Sequence, residues 1–143
     1  MFIKNRNNLV FLIKNNISGA IMQINVLIVD DSEMARNFHS YILKSEGFET
    51  ISAVDGADAL EKLYQMDKID MVVTDINMPV MDGYTLVEHI REDEQFEDIP
   101  IVIVSTEDEA KDKQRGFDAG ANVYIVKPTE PEELIENIRL LLG

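Results

Sequence analysis

Five short apolar runs, each followed by a longer amphipathic stretch, divide the chain from Asn25 onward. This alternation is typical of repeated strand–helix units around a parallel sheet. The first, third and fourth runs are apolar on both faces, as central strands covered by helices on both sides require. We therefore predict an α/β fold with a doubly wound, five-stranded parallel sheet whose strands lie at 26–29, 50–54, 71–74, 101–104 and 123–126.

Apolar residues at helical spacing predict a helix after each strand. The first helix is expected over roughly 33–46, with its apolar stripe formed by Met34, Phe38, Tyr41 and Ile42. The chain contains two histidines, of which His39 lies inside this helix and His89 inside the third. Neither histidine lies near a strand end, so both are expected at the surface or its boundary.

The fifth helix has the clearest start. Thr129 and Glu132 have the spacing of a capping box, and Pro131 suits a first helical turn. For the fourth helix, Thr106 is the better capping candidate than Ser105. The buried stripe of the fifth helix is expected to contain Leu134, Ile135, Ile138, Leu141 and Leu142.

Polar side chains follow four of the five predicted strands. Asp30 and Asp31 come after the first strand, Asp75 after the third, Ser105 after the fourth and Lys127 after the fifth. In a doubly wound sheet, the functional crevice lies at the carboxyl ends of the strands. These side chains are therefore expected to converge on one pocket, as a reaction centre or an ion site.

Crowded carboxylates resist joint ionisation unless a cation lies among them, and hard oxygen ligands favour Mg²⁺. We predict that Asp31, Asp75 and the backbone carbonyl of Asn77 hold Mg²⁺, with Asp30 assisting through water. The ion would neutralise charge as a phosphoryl group reaches Asp75, which then becomes an aspartyl phosphate.

A hydroxyl and an ammonium complete the predicted site. Ser105 and Lys127 both supply protons, and Lys127 also supplies positive charge, so they are suited to bind phosphoryl oxygens that Mg²⁺ leaves unmatched. Each residue type thus has one expected role.

Four segments together resemble the signature of a CheY-like response-regulator receiver domain of two-component signalling, in a single-domain form. They are L-I-V-D-D-S at 27–32, T-D-I-N-M-P-V-M-D-G at 74–83, V-S at 104–105 and Y-I-V-K-P at 124–128. The resemblance covers roughly residues 24–143. It implies the flavodoxin-like strand order 2-1-3-4-5. Two departures from the commonest pattern are Ser105 in place of Thr and Thr129 where Phe is common.

The resemblance implies that a CheA-like histidine kinase or a histidine phosphotransfer protein donates the phosphoryl group to Asp75. Ser105 and Tyr124 would be the switch pair that reshapes the face of helix 4, strand 5 and helix 5, where a target protein binds. Asn77 and Glu107 would lie at the rim of the site and influence the lifetime of the acyl phosphate. Such a chain is expected to be a signalling switch rather than an enzyme.

Charge and composition exclude several other classes of function. The net charge of −14 opposes binding to a phosphate backbone, so no nucleic-acid partner is expected. Cysteine is absent, which excludes disulfides, thiolate metal sites and cysteine nucleophiles, and suits a cytoplasmic location.

Residues 1–22 differ from the rest of the chain. They carry Lys4, Arg6 and Lys14 and no acid, so the remaining 121 residues carry a charge of −17. Lys14 ends the apolar run 9–13 too early for a secretory core or a membrane span, and no membrane insertion is expected. We interpret 1–22 as an extension, flexible or translated from an overcalled start, and 23–143 as the receiver domain.

Other functions remain open. A phosphohydrolase with Asp75 as its nucleophile would need a second Asp where Asn77 stands, and an inactive pseudo-receiver would usually lack one of the acids or Lys127. No output domain follows the fifth helix in these 143 residues, which favours a diffusible messenger of the chemotaxis or motility kind. A phosphorelay intermediate is the alternative.

Overall fold

A computed structural model describes residues 23–143, and the predictions for residues 1–22 lie outside these residues. Five parallel strands form one sheet in the order β2-β1-β3-β4-β5, which confirms the predicted fold class and strand order. The strands are β1 (Asn25–Val29), β2 (Glu49–Ala53), β3 (Met71–Thr74), β4 (Ile101–Ser105) and β5 (Val123–Val126). The helices are α1 (Glu33–Ser45), α2 (Gly56–Gln65), α3 (Gly83–Glu92), α4 (Ala110–Ala119) and α5 (Pro131–Leu142).

The sheet is covered by helices on both faces, so the apolar core has two layers. Every residue of β3 and β4 is buried, as is every residue of β1 after Asn25. Val26, Ile28 and Val104 point into the layer that contains α1 and α5. Leu27 and Val29 point to the opposite layer, with α2 and α3. This two-sided burial confirms that these three strands are central.

Asp or Ser side chains cap the N-termini of the first three helices. Ser32 accepts a hydrogen bond from the backbone N–H of Ala35, and Asp82 does the same for Thr85. Asp55 caps α2 in the same way. Each contact satisfies a backbone donor that the first helical turn leaves unpaired, so these residues fix where the helices begin.

Both predicted caps of the last two helices are wrong. The cap position of α5 is Glu130, which makes no capping hydrogen bond through its side chain. The hydroxyl of Thr129 lies instead 2.9 Å from Nε2 of His39. Thr106 does not cap α4, because that helix begins only at Ala110, after Glu109.

The buried face of α1 also differs from the predicted stripe. Met34 and Tyr41 are 81% and 75% exposed, whereas His39 is 3% exposed and is buried together with Ile42 and Leu43. The helix is therefore rotated relative to the prediction, and the expected surface position of His39 is wrong. His89 is exposed, as predicted.

Among residues 23–143, no helix has the length and apolar character needed to cross a membrane.

Candidate functional site

Three carboxylates meet at the carboxyl edge of the sheet. Asp30 and Asp31 follow β1, Asp75 follows β3, and these two strands are hydrogen-bonded neighbours. One oxygen from each of the three lies within 4.8 Å of the others. Asp30 is buried, Asp75 is half-buried and Asp31 is exposed, so the cluster is open to solvent on one side. Such an arrangement of oxygen donors fits a hard divalent cation.

Lys127 joins two of these carboxylates. Its Nζ lies 2.8 Å from Oδ2 of Asp30 and 3.4 Å from Oδ2 of Asp75. Partial burial acts to lower the pKa of the ammonium, but the hydrogen bond to Asp30 and the charge of Asp75 outweigh burial and raise it. Lys127 is therefore held charged at the edge of the cluster.

The backbone orients the two carboxylates. Oδ1 of Asp30 accepts a hydrogen bond of 2.9 Å from the N–H of Ser32, and Oδ1 of Asp75 accepts one of 2.7 Å from the N–H of Ile76. Burial raises the pKa of Asp75, against the lowering effects of the Ile76 N–H and of Lys127. The Asp75 carboxylate thus has a fixed direction while part of its charge remains uncompensated.

Gly83 supports the backbone of Asp75 from the start of α3. A Cβ at position 83 would lie 2.1 Å from the carbonyl oxygen of Asp75, and the N–H of Gly83 donates to the carbonyl of Ile76. In the same loop, exposed Val80 has a φ of 69°, which costs a β-branched residue about 1–2 kcal/mol. Sequence reasoning assigned no role to either residue, and the positive φ of Val80 could not have been predicted, because β-branched residues rarely adopt it.

Ser105, Asn77 and Glu107 form a separate hydrogen-bonded group beside the carboxylates. The buried hydroxyl of Ser105 accepts a hydrogen bond of 3.1 Å from the N–H of Glu107. The side-chain amide of Asn77 donates to Oε1 of Glu107 over 3.0 Å. Glu107 therefore links the loop after β3 to the loop after β4, and the side chains of both predicted rim residues are exposed.

Tyr124 reaches the same group from β5. Its hydroxyl donates to the backbone carbonyl of Glu107 over 2.8 Å. Its ring lies against α4, because a Cβ at Gly116 would be 3.0 Å from the Cδ2 of Tyr124. Partial burial raises the pKa of Tyr124 to about 12, so the hydroxyl stays protonated and acts as a donor.

The structure thus brings all eight of the predicted site residues to one edge of the sheet, in two groups. Asp30, Asp31, Asp75 and Lys127 form a charged cluster, which we call the acid–lysine cluster. The Ser105, Asn77, Glu107 and Tyr124 group lies next to it, across the ends of β3, β4 and β5. Chemically, the first group offers a carboxylate nucleophile beside a cation, and the second offers the hydroxyls of Ser105 and Tyr124 and the amide of Asn77 as neutral donors.

Comparison with known proteins identifies the class. A family model described as "Response regulator receiver domain" matches residues 26–139. The chemotaxis protein CheY1 of Helicobacter pylori is 38% identical over 119 residues, which cover 82% of this chain and 96% of that protein. The DNA-binding dual master transcriptional regulator RpaA of Synechocystis is 33% identical over 117 residues, and the chain spans 48% of its length.

Solved structures agree with this assignment. The chemotaxis response regulator CheY4 of Vibrio cholerae has a TM-score of 0.79 at 36% identity, covering 85% of this chain and 100% of that one. A putative response regulator from Chloroflexus aurantiacus has a TM-score of 0.81 at 32% identity, covering 85% and 98%. The chain belongs to the response-regulator receiver family of two-component signalling.

Proposed function

We propose that Asp75 accepts a phosphoryl group from a phosphohistidine donor and that the phosphorylated form signals by binding another protein. The observation that carries this proposal is the acid–lysine cluster: Oδ2 of Asp75 lies at an open edge of the sheet, 3.4 Å from a charged ammonium. A receiver of this kind is a switch, with no substrate other than its donor.

The transfer forms one bond and breaks one. An oxygen of Asp75 attacks phosphorus in line, the P–N bond of the phosphohistidine breaks, and the electron pair leaves with the imidazole. Lys127, released from Asp75 as that carboxylate becomes an acyl phosphate, donates to a phosphoryl oxygen, and Ser105 donates to another. Both roles use groups that already lie at the end of a strand beside Asp75.

The carboxylates also fit a divalent cation. Three acids converge within 4.8 Å with one lysine, so negative charge exceeds positive charge in the cluster. Asp31, Asp75 and the backbone carbonyl of Asn77 would hold Mg²⁺, with Asp30 acting through water. The ion would supply positive charge to the phosphoryl oxygens during transfer.

The group that contains Ser105, Glu107 and Tyr124 is suited to link phosphorylation of Asp75 to a change at the protein surface. If Ser105 turns toward a phosphoryl oxygen, the hydrogen bond from Glu107 N–H to its hydroxyl is lost, and the carbonyl of Glu107 is the partner of Tyr124. The ring of Tyr124 lies on β5 against Gly116 of α4, so a change in its position would alter the face formed by α4, β5 and α5. We propose this face as the site for the downstream target.

A chemotaxis or motility messenger is the role we favour within this class, with a CheA-like kinase as donor in the cytoplasm. Its support is the likeness to CheY1 of Helicobacter pylori over 96% of that protein. A phosphorelay intermediate is the second candidate, with a histidine phosphotransfer protein as partner. The relatives also include a DNA-binding regulator, so the expectation of no nucleic-acid contact applies to this receiver domain alone.

The first test is the intact mass of the protein after treatment with acetyl phosphate, with and without Mg²⁺, for wild type and Asp75→Asn. We expect a gain of one phosphoryl group that requires Mg²⁺ and is absent in the variant. No gain in the wild type would favour an inactive pseudo-receiver. A gain in Asp75→Asn equal to that of the wild type would place the acceptor elsewhere.

A further inference from the structure

A buried polar contact joins α1 to the loop that follows β5. His39 and Thr129 are 90 residues apart in sequence, and both are buried. Nε2 of His39 lies 2.9 Å from the hydroxyl oxygen of Thr129. Lys127 is two residues before Thr129, so the contact holds the same short loop that carries the ammonium of the acid–lysine cluster.

The direction of this hydrogen bond depends on which ring nitrogen of His39 carries the proton. Burial lowers the pKa of His39, and the nearby charge of Lys127 lowers it further, so the neutral ring is favoured. In either direction, the contact fixes the orientation of the Thr129 hydroxyl from the side of α1.

The hydroxyl of Thr129 could also have formed a local hydrogen bond at the start of α5. The residue stands three positions before Glu132, at the spacing of a capping box, and α5 has no side-chain capping hydrogen bond at its start. The hydroxyl nonetheless points across to α1. Its tertiary contact with His39 is thus made in place of a local one that the sequence permits.

A second residue of α1 holds the opposite wall of the cluster. Nη1 of Arg36 donates to the backbone carbonyl of Asp30 over 2.7 Å. Arg36 and His39 are three residues apart, so they lie on neighbouring positions of one helix face. Through them, α1 contacts both the loop that carries Asp30 and the loop that carries Lys127.

We propose that His39 and Thr129 are positioning residues for Lys127: their hydrogen bond holds the loop after β5 against α1, so that the ammonium stays between Asp30 and Asp75. This inference rests on the proposed function in that Lys127 is taken to bind the transferred group. The positioning itself concerns only residues present in the unphosphorylated protein. It can therefore be tested without a metal or a phosphodonor.

The direct readout is the NMR signal of the Lys127 side chain, observed at its ¹³Cε–¹Hε pair in metal-free protein and assigned by its loss in Lys127→Ala. Thr129→Val removes the hydroxyl at nearly constant shape, and Thr129→Ser restores it. The matched control is Thr50→Val, because Thr50 also bonds a side chain of α1, Ser40, over 2.6 Å, but on β2 and away from Lys127.

We expect Thr129→Val to shift or broaden the Lys127 signal, whereas Thr129→Ser and Thr50→Val leave it at the wild-type position. Phosphorylation by acetyl phosphate in saturating Mg²⁺ should slow by about 3- to 30-fold in Thr129→Val only, because small errors in the placement of a reacting group reduce rates this much. His39→Leu removes the same hydrogen bond from the other side, and it is read in the same way if Thr129→Val does not fold.

An unchanged Lys127 signal in folded Thr129→Val or His39→Leu would overturn the inference and leave the pair with a purely structural role. An equal change in Thr50→Val would do the same, since it would show a general effect of losing a contact with α1. If wild type itself takes up no phosphoryl group, the proposed function fails, while the NMR comparison still decides whether the pair positions Lys127.

Discussion

Replacing Gly83 with alanine is expected to displace the proposed phosphate acceptor. Gly83 is the first residue of α3, and a Cβ there would lie 2.1 Å from the carbonyl oxygen of Asp75 and 2.8 Å from the Cα of Ile76. Carbon–oxygen contacts are ordinarily at least about 3.3 Å long. The backbone of Asp75 and the start of α3 must therefore separate by about 1 Å, the difference between these two distances.

Two effects of this displacement can be measured separately. Overpacking of this kind costs about 1–3 kcal/mol of unfolding free energy, because the atoms that collide are backbone and cannot rotate away. An error of about 1 Å in the position of the Asp75 carboxylate is expected to slow phosphoryl transfer by up to about 100-fold. The first effect is read by urea denaturation and the second by the rate of mass gain with acetyl phosphate in saturating Mg²⁺.

Gly56→Ala is the matched control. Gly56 is also the first residue of a helix that follows an Asp cap, and a Cβ there would lie 2.7 Å from Cγ of Met81. We expect a loss of stability of similar size but little change in the rate of phosphorylation, since Asp75 is not contacted. If folded Gly83→Ala takes up phosphate at the wild-type rate, the close approach of Gly83 does not position the acceptor, and the reasoning is refuted.

Two further predictions concern stability. Arg91→Met should lower the unfolding free energy by about 1–3 kcal/mol in urea denaturation, because the half-buried guanidinium donates to the carbonyls of Gly120, Glu97 and Ile99 and to Asn122. The part-buried carbonyls of Gly120 and Ile99 would lose this donor. Stability within about 0.5 kcal/mol of wild type, the usual range for a surface change, would contradict this. Asp75→Asn should stabilise the metal-free protein at neutral pH. Burial raises the folded-state pKa of Asp75, so ionisation of this carboxyl group favours the unfolded state. The protonated carboxyl group contributes stability below the unfolded pKa, and this contribution is lost as pH rises through the folded pKa. The advantage of the variant should therefore shrink as pH falls below the ordinary pKa of Asp, and thermal unfolding across pH checks this; a constant difference would show that the shift has another cause.

Much of the sheet could be predicted because each strand is marked by a short run of apolar residues in the sequence itself. The observed bounds of β3 and β5 equal the predicted ones, and those of β1 and β4 differ by one residue at one end. Consecutive buried residues leave little choice of register. β2 begins and ends one residue earlier than predicted. Unlike β5, the other edge strand, it contains exposed residues, so its apolar pattern constrains its ends less.

The errors on α1 and α5 have a different origin. A helix with apolar residues on more than one face can be rotated, and only packing decides which face is buried. In α1 the buried face includes His39, because Thr129 offers it a partner from a loop that lies 90 residues away. A Thr hydroxyl can cap a helix or bond a distant ring equally well, and the sequence alone does not show which partner is within reach.

Five of the site residues were predictable for the same reason as the strands, since each lies at or just after the end of a strand and parallel strands bring their ends together. These five are Asp30, Asp31, Asp75, Ser105 and Lys127. The roles of Tyr124, Asn77 and Glu107 were predicted from the family resemblance instead. The residues that hold the site loops in place were not predictable, because they contact those loops from elements that are distant in the sequence. On one side of Asp75, Arg36 and His39 of α1 hold the loops of Asp30 and Lys127 through hydrogen bonds of 2.7 and 2.9 Å. On the other side, Glu107 is held by exposed Asn77 and by the hydroxyl of Tyr124.

These two sides differ in how readily they can rearrange. The contacts from α1 to the loop ends involve buried His39 and Thr129 and half-buried Arg36, so breaking them leaves polar groups without water. Two contacts of Glu107, with Asn77 and Tyr124, are exposed, and their donors can exchange to water at little cost. The third, from its N–H to the hydroxyl of Ser105, is partly buried. A phosphoryl group on Asp75 would therefore lie between two different sides of the site. The side that contains Lys127 keeps its shape, and the side that contains Ser105 and Tyr124 can rearrange. This asymmetry would favour a change at α4 and β5 over a change at α1, and it supports our proposal that the face formed by α4, β5 and α5 is the output of the switch.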